Sequence, residues 1–99
     1  MKYKLIYHSE VVEDLQGIID WYNNQQIGLG KRFWDSFKKQ EKIIQKKPLL
    51  FTIRYKEIRC LKIKPFPYLI HYKVFEKSNT IKVFAVFYGG KNPKNNIRN

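Results

Sequence analysis

The spacing of apolar residues changes along this chain, and each change marks an element. Lys2, Tyr3, Lys4 and Leu5 alternate cationic and apolar side chains, which predicts a short, half-exposed strand ending near Tyr7. Val12, Leu15, Ile19 and Tyr22 then recur at helical spacing. Ser9 offers an N-cap, and Glu10, Glu13 and Asp14 suit the positive end of a helix, so a helix is predicted over about 10–25. The stretch 23–30 is polar and bounded by glycine, which reads as a turn. A second helix is predicted over about 30–47. Phe33, Phe37 and Ile44 form its apolar stripe, broadened by Trp34 and Ile43. Pro48 stops it. An antiparallel hairpin follows from two such helices joined by a short turn, and Trp21 and Trp34 are expected to pack inside it.

Beyond Pro48 the period falls to two. Strands are predicted over 57–63, 68–75 and 80–87. Pro65 and Pro67 enforce the first connection, since neither can donate to a ladder, and Lys77-Ser78-Asn79 makes the second. On the 68–75 strand, Tyr68, Ile70, Tyr72 and Val74 share one face, and Leu69, His71, Lys73 and Phe75 the other. On the last strand Val83, Ala85 and Phe87 are expected on one face, and Phe84, Val86 and Tyr88 on the other. Gly89-Gly90 ends it, and 91–99 reads as a polar tail. The order is β-α-α-β-β-β. The expected fold is α+β: one domain over 1–99, with a small, curved, mainly antiparallel sheet and a helical hairpin on one face.

Charge adds the next constraint. The 99 residues carry a formal net charge of +12. Eleven Lys or Arg against two Glu lie from Phe51 onward, so most of the excess sits on the strand-forming half. The first helix has four acids and no Lys or Arg, whereas the outer face of the second holds Lys31, Arg32, Lys38, Lys39, Lys42, Lys46 and Lys47. Such a balance implies an anionic partner: nucleic acid, an acidic protein or an anionic membrane surface. No run approaches the roughly 18 apolar residues that span a bilayer. The N-terminus lacks the apolar core of a signal peptide, so a cytoplasmic protein is expected. A single cysteine, Cys60, excludes an intrachain disulfide and a cysteine-based metal cluster, and reads as a half-buried strand residue. His8 and His71 have no metal-ligand spacing, and no glycine-rich loop precedes a helix, so neither metal nor cofactor is expected.

Several motifs then coincide in order. They are the acidic-aliphatic first helix, the second helix closing on KIIQKKP, the pair IR-x-L…FPYLIHYKV, and the final VFAVFYGGKNP. Together, over about residues 3–95, they resemble the RelE/ParE superfamily of type II toxin–antitoxin toxins, closest to its "plasmid stabilisation", ParE-like branch. The resemblance implies a small basic toxin held by an acidic, co-encoded antitoxin. It also implies one of two targets: ParE-like members poison DNA gyrase, and RelE-like members cleave ribosome-bound mRNA.

Metal-free RNA cleavage needs a base for the 2′-OH, a cation for the phosphorane and an acid for the leaving oxygen. The candidates on this chain are Arg59, Lys62, Tyr88 and Lys91, with Lys64, His71, Tyr72 and Lys73 as nucleic-acid or target-binding residues. Each has a plainer reading. Arg59 is a solvated strand residue or a salt bridge to Glu57. Lys62 and Lys64 guard a sheet edge. His71 is a half-exposed sheet residue, and Tyr72 is core. Relative to RelE-like members, Leu69 replaces the strand arginine, Tyr88 the closing histidine and Lys91 the closing arginine. A lysine cannot reproduce an arginine fork. Three readings therefore remain open: a ParE-like gyrase toxin, a RelE-like endoribonuclease, and a non-catalytic basic nucleic-acid-binding domain. A homodimer or a toxin–antitoxin hetero-oligomer is compatible with all three.

Overall fold

The computed structural model describes residues 3–89; Lys91 and the predicted polar tail lie outside them. In chain order the elements are β1 (Lys4–Tyr7), α1 (Ser9–Gln25), α2 (Leu29–Lys46), β2 (Ile53–Tyr55), β3 (Ile58–Lys62), β4 (Tyr68–Phe75), a 3₁₀ turn (Glu76–Ser78) and β5 (Thr80–Tyr88). One sheet runs β1-β5-β4-β3-β2, with β1 parallel to β5 and every other pair antiparallel. The predicted α+β architecture is present, with one strand more than expected.

That extra strand, β2, is three residues long. Lys56 and Glu57 turn the chain back with φ of 41° and 63°, so that Tyr55 pairs with Ile58. A two-residue hairpin demands left-handed backbone, usually signalled by Asn-Gly or Asp-Gly. Lys-Glu sends no such signal. Glu57 consequently lies in the turn, and β3 begins one residue later than predicted.

Between β4 and β5 the register slips by one residue. His71 pairs with Ala85 but Tyr72 with Val83, leaving Phe84 as a bulge. The slip splits the face expected for Val83, Ala85 and Phe87. Val83 joins the core beneath the helices. Phe87 points the other way, with its ring 5.2 Å from that of His71.

The helices cover one face. In α1 the buried stripe is Val11, Leu15, Ile18 and Tyr22, so the helix is rotated from the predicted stripe and Val12 is left 63% exposed. Both stripes share Leu15 and Tyr22 and both fit a 3.6 period; only packing against α2 and the sheet chooses between them. His8, not Ser9, is the N-cap, with its Nδ1 accepting from Glu10 N at 3.1 Å. Phe33, Phe37 and Ile44 are buried on α2 as predicted, while Trp34 and Ile43 stay partly exposed at its edge. Trp21 is 56% exposed and also lies outside the hairpin core.

The hairpin closes at Gly30. A Cβ there would stand 2.5 Å from Ile19 O, so only glycine allows this approach, and Gly30 N donates to Asn23 Oδ1 at 2.8 Å. Beside it, Tyr22 packs on Phe33 at 5.7 Å and edge-on to Phe66 at 4.9 Å. Phe66 and Ile63 come from the β3–β4 connection, which plugs this end of the core. Ile70, Tyr72, Ile81, Val83 and Val86 supply the sheet side.

Candidate functional site

Alternation along β3, β4 and β5 assigns each polar side chain to one face of the sheet. Arg59 is opposite Tyr72, so both lie on the helix-covered side. Cys60 is opposite His71 and Lys62 opposite Leu69, and these four lie on the open side. Lys73, Ala85 and Phe87 join them there.

Arg59 is neither solvated nor bridged to Glu57. Its Nη1 donates to Phe51 O and, at 3.5 Å, to Leu49 O. Next to it the fully buried Tyr72 donates its hydroxyl to Pro48 O at 2.8 Å. Burial pushes the Tyr72 phenol up to about 12, which keeps the donor proton in place. These bonds fasten the α2–β2 connection to the sheet. Buried carbonyls cost free energy unless paired, and this connection has no ladder of its own.

On the open side, His71 is buried rather than half-exposed, at 4% accessibility. Its Nδ1 lies 2.7 Å from Tyr55 Oη and 3.5 Å from Cys60 Sγ. Burial, aided by nearby Arg54, lowers its pKa to about 4. Burial also raises Tyr55 and Cys60, each the larger cause for its own group. All three are therefore neutral at pH 7. A neutral phenol donates, so Nδ1 accepts from Tyr55 and the ring proton sits on Nε2. With that lone pair engaged, His71 has no base to offer at Nδ1, and the thiol of Cys60 stays protonated. Tyr55 was not among the residues singled out from the sequence, because the strand that carries it was not legible there.

The remaining candidates are dispersed. Lys62 is exposed on the open face at the end of β3. β2 pairs only as far along β3 as Arg59, so Lys62 also borders an uncovered edge, where a lysine discourages sheet-to-sheet pairing. Lys64 is exposed in the turn beyond, at the cis bond to Pro65. Tyr88 pairs with Tyr68 and meets it edge-on at 5.8 Å. It borders a shallow groove of about 440 Å³ along α1, beside Glu13, Asp14 and Trp21. Lys62 and Tyr88 thus project from opposite faces, and Arg59 is committed to backbone carbonyls. Lys73 lies on the open face, with Lys82 opposite it on β5.

Every acid of the chain lies on a helix or in a turn, and none on a strand, whereas the strands carry Lys4, Arg54, Arg59, Lys62, Lys73 and Lys82. The open face is therefore an electropositive surface over a rigid sheet. Among the described residues no group of three or more His, Cys, Asp or Glu is placed to hold a metal ion, and no helix is long and apolar enough to cross a membrane.

Comparison with known proteins completes this description. The family model for the ParE toxin of the type II toxin–antitoxin system parDE matches residues 5–93. No curated protein matches the chain. Among solved structures, the chromosomal ParDE system from P. aeruginosa superposes with a TM-score of 0.75 at 17% identity, covering 87% of this chain and 95% of that one. The archaeal RelE–RelB complex from Pyrococcus horikoshii OT3 gives 0.64 at 19% identity, covering 93% and 100%. The intact E. coli RelBE toxin–antitoxin complex gives 0.65 at 15%, covering 90% and 99%. At these identities the structures establish a shared fold. The family match establishes more: this chain belongs to the ParE toxin family of type II toxin–antitoxin systems.

Proposed function

We propose that this ParE-family toxin arrests growth in the bacterial cytoplasm by acting on DNA gyrase, and that a co-encoded antitoxin neutralises it. The family match over residues 5–93 carries this reading. The geometry supports it from the other side. Metal-free RNA cleavage needs a base, a cation and an acid around one phosphate. Here Arg59 is tied to Phe51 O and Leu49 O. Leu69 stands where RelE-like members carry an arginine, and Lys62 and Tyr88 point from opposite faces. A toxin that binds its target without cleaving it needs no such convergence.

The antitoxin is expected to be acidic and partly disordered, folding as it covers the strand cations. Several solved relatives of this fold are toxin–antitoxin complexes by description, which supports a partner of this kind. The test uses purified gyrase and relaxed plasmid, with the full chain alone or premixed with the product of the adjacent gene. The expected result is loss of supercoiling with accumulation of cleaved plasmid, reversed by the adjacent product. Unimpaired gyrase in the presence of a chain that still arrests growth would overturn the proposal.

A further inference from the structure

One row of the open face runs across three strands. Ile6 of β1 is level with Lys82 of β5, and Lys82 is opposite Lys73 of β4. Side chains on directly opposed residues start about 5 Å apart, so two ammonium groups at such positions repel. The structure shows how they are kept apart. Lys73 Nζ lies 5.1 Å from the ring centroid of Phe75, and Lys82 Nζ 5.1 Å from that of Phe84. Each ring is two residues further along its own strand, and β4 and β5 are antiparallel. The two lysines therefore lean in opposite directions, away from the point where their strands face each other. Lys4, in register with Thr80, adds a third cation one row away. Neither Lys73 nor Lys82 has an acid partner among the described residues; the ion pairs Lys31–Asp35 and Lys38–Glu41 both lie on α2.

We propose that Lys73 and Lys82 form a phosphate clamp for single-stranded nucleic acid, with Phe75 and Phe84 as the rings on which its bases stack. A phosphate between the opposed positions turns a repulsive pair into a shared site. Cation–π contacts at the surface are weak beside charge-assisted bonds to phosphate oxygens, so both lysines leave their rings for the anion. Swinging inward uncovers the rings. Phe75, already 38% exposed, then presents a face to a base. Bases held in a duplex cannot reach such rings, whereas those of a single strand can splay onto them. An acidic peptide would satisfy the lysines but leave the rings unused. The clamp is separate from the Tyr55–His71–Cys60 cluster and holds whichever macromolecule is the toxin's target.

The test is fluorescence anisotropy of the full chain with a labelled oligothymidylate of about 15 nucleotides, within the usual site size for such surfaces, across a salt series. Lys73→Gln/Lys82→Gln should weaken binding about tenfold and reduce the salt slope by about 0.7, as expected for one single-strand phosphate. Lys42→Gln/Lys46→Gln removes the same charge from α2 and should change affinity less than about twofold. Phe75→Leu/Phe84→Leu should weaken the single strand and leave weak duplex binding unchanged. Equal loss from both lysine pairs would reduce the effect to net charge and overturn the clamp. So would a duplex that binds as tightly as the single strand, or polyglutamate that displaces the oligonucleotide as well as unlabelled oligothymidylate does. Matching melting curves for the variants confirm that each compares folded protein.

Discussion

On the helix-covered face of the sheet, the polar side chains Arg59 and Tyr72 are tied to carbonyls of the α2–β2 connection. On the open face, Lys62, Lys73 and Lys82 carry charge with no acid on any strand beside them. The same alternating strands supply both faces, so the difference comes from what lies above each. Under the helices a cation must find a partner or disrupt the core. On the open face solvent satisfies it, and its charge remains available to a binding partner. Residue type is therefore a poor guide to role in this fold. Arg59 has the chemistry of a phosphate ligand and the position of a structural brace.

The contrast can be broken most severely from the covered side. Phe33→Ala removes a fully buried ring from the Tyr22–Phe66 cluster and should cost about 3–5 kcal/mol, read by urea denaturation. An unchanged midpoint would mean that the aromatic cluster does not hold the hairpin to the sheet.

A pH titration sharpens the comparison from the open side. The folded pKa of His71 is lowered to about 4 from an ordinary 6.5. The unfolded chain therefore takes up a proton that the folded chain refuses. The stability tied to His71 is fully present above about pH 6.5 and is lost progressively as pH falls toward 4, by roughly 3 kcal/mol in total. Glu41, raised by burial, acts with the opposite sign in the acid range, so the useful quantity is the difference between wild type and His71→Gln. Between about pH 7 and pH 5 the wild type should lose more thermal stability than the variant. Parallel curves would contradict the buried, neutral assignment of His71.

Tyr72→Phe deletes one hydroxyl and leaves Pro48 O without its donor; a loss of about 1–3 kcal/mol is expected in the same denaturation assay. The smallest effect on stability belongs to the open face. Lys62→Gln should shift the midpoint by less than about 0.5 kcal/mol. If it unfolds the protein, the open face is as structural as the covered one.

Strong local periodicity made much of this legible in the sequence. β4 spans the predicted 68–75, and both helices begin and end within a residue of expectation. What escaped was set by single residues or by distant partners. β2 hinges on two residues in left-handed backbone without glycine. The Phe84 bulge inserts one residue into a pattern that still alternates on paper. The bonds from Arg59 and Tyr72 reach carbonyls well back along the chain, at Phe51 and Pro48, and no spacing rule announces them. The site was harder to read than the fold for the same reason: alternation indicates which residues share a face, but not which face the helices will cover.

The most direct test of the functional account is induction of the full chain in bacteria, with DNA breaks and RNA 5′ ends mapped from the same culture. The account predicts gyrase-dependent DNA breaks with intact transcripts, both abolished by co-expression of the adjacent gene. Transcripts cut at codon positions over intact DNA would contradict it and make the family's ribonuclease chemistry, not gyrase, the activity to explain.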